Sequence, residues 1–217
     1  MRYGIWMNAV GLFLCVLLSA SHAEAKMFCV GGSFGAGYLP MTDWQNFGSG
    51  LNSHYEADAA GLYGEVYGRV QLADRHSLAV SVERISKSAA SVTHPSGFRV
   101  EWDFDAVPIN VTYEFILRGS GSRTPSFFGL GAGVYHSQVH GATSNDPYFP
   151  PSSGQRDGWG YGFHGYLGQR AAVTQSLAVS MRVRGRWADG MYFTDEKEDI
   201  DVDFTGVDVA LGVEFVF

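Results

Sequence analysis

Charge, cysteine and long apolar runs are all scarce in this chain, and each shortage removes a class of protein. Only 17% of the 217 residues are charged, and acids outnumber bases 22 to 15, a formal net charge of −7. Binders of nucleic acid need a basic face, so nucleic acid is excluded as a partner. Of the two cysteines, Cys15 lies in an N-terminal apolar run that export would remove. Cys29 is then alone, and no intramolecular disulfide can form. Met27 and Phe28 before it are too bulky for a lipoprotein processing site, so Cys29 is assigned no function. No apolar run reaches the ~20 residues of a membrane-spanning helix. Beyond the N-terminus, no segment keeps a helical period.

What the chain has instead is glycine (28 residues) and aromatics (14%), set in short alternating segments. Ahead of them stands an export signal. Arg2 supplies the positive end, Val10 to Leu18 (VGLFLCVLL) the apolar run, and Ala23-Glu24-Ala25 a small-residue cleavage site. Cleavage after Ala23 is a near equivalent. Residues 1–25 are read as a cleavable signal peptide and 26–217 as one domain. Arg2 and Glu24 leave together, so the mature chain keeps its net charge.

The last twelve residues, GVDVALGVEFVF, carry the most specific signal. Val207, Val209, Leu211, Val213, Phe215 and Phe217 share one side of an extended strand. Asp208 and Glu214 lie on the other, because successive side chains point to opposite faces. A terminal Phe with apolar residues at alternate positions before it resembles the C-terminal assembly signal of bacterial outer-membrane β-barrels. That resemblance implies insertion by the barrel-assembly machinery, with Val209, Leu211, Val213, Phe215 and Phe217 as the signal.

Seven more alternating segments precede it: Phe28–Pro40, Ala60–Leu72, Ser77–Ser86, Val100–Leu117, one around Phe128–Tyr135, Gly158–Ala172 and Leu177–Trp187. Long stretches at 41–58, 87–99, 141–157 and 188–205 read as loops. Asp74-Arg75-His76, Arg118–Pro125 and Thr174-Gln175 read as short turns. In the fourth segment the apolar phase reverses above Ala106 (Val100, Trp102, Phe104), which predicts a bulge there. Pro108 suits a bulge or an unpaired N–H position. The predicted fold is all-β: a single up-and-down antiparallel transmembrane β-barrel of eight strands with four long outer loops and three short periplasmic turns.

Polarity supports the membrane form. One face of the segments is Val, Leu and aromatic, while arginines and carboxylates share the other with Gly, Ser and Tyr. A soluble barrel would place these the other way round. PINVTYEF (Pro108–Phe115), FFGLGAGVY (Phe127–Tyr135) and the terminal VEFVF resemble the small outer-membrane barrels of the OmpA/OmpX type over nearly the whole mature chain.

The polar face predicts a charge network in the lumen: Glu65, Arg69, Glu83, Glu114, Arg170, Arg182, Arg184, Arg186, Asp208 and Glu214. An eight-stranded barrel is only wide enough for its own side chains, so these groups are expected to pair and close the lumen. Small residues inward on the first strand (Gly31, Ser33, Gly35, Gly37) leave room for guanidinium groups to cross toward Glu65 and Glu83.

No catalytic, cofactor or metal site is expected. His136 and Ser137 are adjacent, so they point to opposite faces and cannot act as a dyad; His164 is the other strand-borne candidate. Lipid A deacylase barrels are similar to this chain in size and topology. Their His-x-Ser on the penultimate strand has no counterpart in Gly185-Arg186-Trp187-Ala188. Asp195 to Asp203 (DEKEDIDVD) clusters carboxylates without EF-type spacing and reads as a solvated loop. Trp159, Tyr161, Trp187, Tyr192 and Phe193 read as an interfacial girdle. The expected function is that of a non-catalytic outer-membrane barrel with a plugged lumen, acting in envelope integrity or surface interaction through its loops. Two alternatives stand beside it: a lipid A-modifying enzyme, and a transporter of small hydrophobic molecules resembling the OmpW type. Expected partners are outer-membrane lipid, lipopolysaccharide and the assembly machinery, with the barrel itself a monomer.

Overall fold

A computed structural model describes residues 27–39, 54–57, 60–93, 99–117, 124–144, 153–194, 199–202 and 204–217. The signal peptide expected at 1–25 lies outside the described residues. Ten strands occur among those described: β1 (Met27–Tyr38), β2 (His54–Ala57), β3 (Ala60–Ala73), β4 (His76–Thr93) and β5 (Arg99–Ile116). They continue with β6 (Ser126–Ser144), β7 (Ser153–Ala172), β8 (Leu177–Thr194), β9 (Asp199–Val202) and β10 (Gly206–Val216).

Eight of these form the wall, in the order β1-β3-β4-β5-β6-β7-β8-β10, each antiparallel to the next. The sheet closes because β10 pairs with both β8 and β1. Closure leaves no edge among the wall strands, as the eight-segment pattern requires. Backbone bonds between Phe28 and Phe217 (3.3 and 2.8 Å) carry the closing seam to the final residue.

The alternation decides what faces where. On β10, Asp208, Ala210, Gly212 and Glu214 are buried inside, and Val207, Val209, Leu211, Val213 and Phe215 stand exposed outside. The outer surface continues with Phe34, Leu62, Val66, Leu130, Phe163, Leu167 and Met181. A wall with apolar residues outward and charges inward is that of a barrel set in lipid.

Three sequence expectations are corrected. First, the segments read as loops contain strand. β4 runs on to Thr93, β5 starts at Arg99, β6 ends at Ser144, β7 starts at Ser153 and β8 ends at Thr194. β2 and β9 add short strands that extend the wall, on β4 and β8 respectively. Apolar alternation marks only the height facing lipid; above it, hairpin ladders continue on backbone hydrogen bonds whatever their side chains. Second, Lys87 is no loop residue. It is buried on the inner face of β4 and donates to the Leu39 carbonyl. Third, β5 has no bulge at Ala106. The register shift lies on β4, where Lys87 to Ala90 span what Phe104 to Trp102 span on β5. Phe104 keeps the inward phase of Ala106 and Asn110, so an apolar side chain enters the lumen there.

Pro108 occupies an unpaired position. Val82 pairs with Ile109 and Ile85 with Ala106, with no pair between them, while on the other side Pro108 pairs with Tyr135. A residue without an N–H interrupts one ladder and leaves the opposite one intact.

Candidate functional site: the charged lumen

The lumen is built from the inner faces of all eight wall strands, and its size is set by glycine. A Cβ on Gly31 would stand 2.5 Å from the Tyr67 ring, and one on Gly35 2.6 Å from the Tyr63 ring. Without those atoms, β1 lets both tyrosine rings lie across it. Gly129 does the same for Tyr166, whose ring a Cβ there would overlap. The space beside β1 is thus filled first by tyrosine, and the guanidinium groups stack on the rings. Arg184 lies 4.8 Å and Arg186 5.6 Å from the Tyr63 centroid; Arg182 lies 5.9 Å from Tyr67 and 5.5 Å from Tyr166. These are cation–π distances.

The ten charges singled out in the sequence are all buried and sort into three clusters. In one, Arg69 donates to Glu114 (3.2 Å) and Glu214 (2.7 Å), and to the Cys29 sulfur (3.1 Å). Arg170 bonds the same two carboxylates at 3.4 and 2.9 Å. The hydroxyls of Tyr67 and Tyr166 donate to Glu214 (2.9 Å) and Glu114 (2.7 Å). In the second, Arg182 pairs with Glu65, and Ser33 donates to that carboxylate at 2.9 Å.

In the third, Arg184 and Arg186 share Glu83 and Asp208. Arg184 Nε donates to Asp208 at 3.0 and 3.1 Å and Nη2 to Glu83 at 3.0 Å. Arg186 reaches Asp208 at 2.7 Å and Glu83 at 3.1 Å, and Asn110 donates to Glu83 at 2.9 Å.

Each cluster is neutral: two arginines with two glutamates, one with one, and two with two. The division has a local cause. Glu65 and Glu83 are directly opposite across the β3–β4 ladder, and like charges so placed repel. Arg182 takes one and the Arg184–Arg186 pair takes the other, which separates them. Burying such charges costs several kcal/mol per ion unless partners and hydrogen bonds return it.

Apolar side chains close the lumen beyond the charges. Leu39, Ile85, Phe104 and Phe204 are buried on the side of the lumen facing the long connections, with Leu39 and Ile85 beside Arg186 and Asp208. Toward the short turns, Phe127 lies under Arg170, 4.4 Å from its guanidinium carbon, and Ile116 is buried at the turn end of β5. The apolar alternation marked the outer face and not these stops. Phe204 lies outside every segment read as strand, whereas Leu39 shares the inward parity of Gly31, Ser33, Gly35 and Gly37, and Phe104 that of Asn110; that parity was the available signal.

The candidate catalytic residues are kept apart. His136 is on the outer face, its ring 4.6 Å from that of Trp159. Ser137 is buried on the inner face and reaches the Gly158 carbonyl at 3.4 Å. His164 Nε2 lies 2.8 Å from the Thr112 hydroxyl in the lumen. No base–nucleophile pair with a third orienting group forms among the described residues. Trp159, Tyr161 and Trp187 are exposed on the outer wall; the side chains of Tyr192 and Phe193, and residues 195–198 and 203 of the acidic segment, lie outside what is described.

No family model matches this sequence, and no curated protein matches it. Solved structures with the same fold are found. The outer membrane protein OprG from Pseudomonas aeruginosa superposes with a TM-score of 0.55 at 14% identity, over 88% of this chain and 95% of that one. Ail, the attachment invasion locus protein of Yersinia pestis, gives 0.50 at 11% identity, over 88% and 98%. At these identities the likeness is one of fold: a small closed barrel of eight antiparallel strands.

Proposed function

We propose that this protein is a non-catalytic integral barrel of the bacterial outer membrane, with a plugged lumen, acting in envelope integrity or surface contact through its outer loops. The observation that carries this reading is the mutual neutralisation of the ten lumen charges. A transport path needs charges that a passing solute can meet, and a catalyst needs a group left free to react. Here the guanidinium and carboxylate groups are engaged with one another and bounded by apolar side chains. The lipid-facing wall and the fold shared with OprG and Ail support the outer membrane as its place. The apolar alternation ending at Phe217 supports delivery by the barrel-assembly machinery. The protein acts as a monomer in contact with lipid and lipopolysaccharide.

The test is conductance of the refolded protein in planar bilayers, paired with the permeability of cells lacking the gene. The expected outcome is a silent barrel and cells more sensitive to detergents or large antibiotics. A steady open pore in the wild-type protein would overturn the plugged lumen.

A further inference from the structure

The outer wall carries a groove of about 950 Å³ that runs across the strands instead of along them. Its course follows one row of residues paired strand to strand: Gln169, Met181, Leu211, Phe34, Gly64 and Arg84. The parallel row from Val179 through Val213 and Gly32 to Val66 forms the other bank. Gly64 lines the groove without a side chain, and a Cβ built there meets nothing within 4 Å. Met181, Leu211, Phe34, Val66 and Val213 make the walls apolar.

Arg84 stands at one end. It is the outward residue that follows Leu78, Val80 and Val82 on β4, where the apolar run stops. Its side chain is 63% exposed, and its guanidinium meets Asp105 through Nη2 alone, at 3.4 and 3.5 Å. The Ser86 hydroxyl also donates to that aspartate. The rest of this largely exposed side chain is open to a further anionic partner.

The dimensions select an occupant. Six strands at ~4.8 Å spacing make the row about 24 Å long. With strands tilted ~40°, a line perpendicular to them rises about 15 Å, half of a ~30 Å hydrocarbon core. The groove thus descends through the depth of one leaflet, with a cation at its outer end.

We propose that this groove seats one acyl chain of a phosphorylated lipid of the outer leaflet, with Arg84 binding the phosphate. The proposal rests on the outer-membrane placement proposed for the protein. The wall offers a chain-sized apolar channel where a smooth barrel would present only a convex surface. The exposed guanidinium selects lipids whose phosphate lies at the interface.

The test uses full-length protein in dodecylmaltoside micelles titrated with bisphosphorylated lipid A or with phosphatidylcholine, bound lipid being counted by native mass spectrometry. Wild-type protein should prefer lipid A. Arg84→Gln should weaken lipid A binding at least tenfold and leave phosphatidylcholine unchanged. Gly64→Leu, which fills open space, should weaken both lipids. Both variants should keep the gel shift of a folded barrel on boiling. Wild-type indifference to the phosphate, or unaltered binding in either variant, would overturn the proposal. So would a dimer that Gly64→Leu abolishes, since the occupant would then be a second copy. Absence of the native protein from the outer-membrane fraction would instead refute the placement, and the micelle titration would still read the groove itself.

Discussion

Replacing Arg184 by leucine is the sharpest perturbation available in the lumen. The side chain is 2% exposed and binds two carboxylates, Glu83 and Asp208, while lying over the Tyr63 ring. Its removal leaves Glu83 and Asp208 facing a single cation, Arg186, so a neutral cluster becomes a buried net charge of −1. Breaking a buried pair by deleting one partner costs ~3–5 kcal/mol. Arg186 and Asn110 still reach Glu83, which favours the lower end, about 3 kcal/mol. With a urea slope of ~1–3 kcal/mol/M, the unfolding midpoint should fall by roughly 1–3 M. Val183→Ala, on the lipid face one residue away, removes two carbons from a half-exposed side chain and should cost about 1 kcal/mol. Trp fluorescence and gel mobility in lipid vesicles would report on both variants. Adding Asp208→Asn to Arg184→Leu restores neutrality and should recover most of the loss, because matched removal of a buried pair is often close to neutral. An Arg184→Leu midpoint no lower than that of Val183→Ala, or a double variant weaker than the single one, would refute the pairing argument.

Deleting Phe217 removes the last hydrogen bonds of the β1–β10 seam and the ring contact with Phe28 at 6.2 Å. Folded barrel in the outer-membrane fraction should drop and unfolded chain accumulate in the periplasm; wild-type levels would count against the terminal signal. His136→Ala, Ser137→Ala and His164→Ala should each leave the lipid A acyl pattern of the host unchanged by mass analysis, and an acyl species lost with any of them would revive the enzyme reading. Gly35→Ala places a Cβ against the Val209 carbonyl oxygen and 2.6 Å from the Tyr63 ring, so it should destabilise by ~1–3 kcal/mol. An unchanged urea midpoint in that variant would show that the ring is not held against β1.

Period-two alternation is a local property, so its consequences were legible in the chain: eight membrane-crossing strands, their outward faces, and the common side of Arg182, Arg184 and Arg186. The connections were read less well. Residues 87–93 and 188–194 hydrogen-bond as strand past the apolar band, and backbone pairing leaves no mark in side-chain polarity. Phe104 showed the same limit from the other side, an apolar residue placed inward by parity although its chemistry suggested a phase change.

Which arginine meets which carboxylate was decided only by closure. Asp208 is opposite Arg184 through the β8–β10 ladder, but Glu83 reaches the same guanidinium from β4, across the lumen and 101 residues away. Alternation states the face a residue occupies and says nothing of its height relative to a strand halfway round the wall. That height depends on how far register staggers in all the intervening ladders. Only when β1 pairs with β10 do the staggers add up to one answer, with three neutral clusters, tyrosine rings over glycine, and apolar stops at both ends of the lumen.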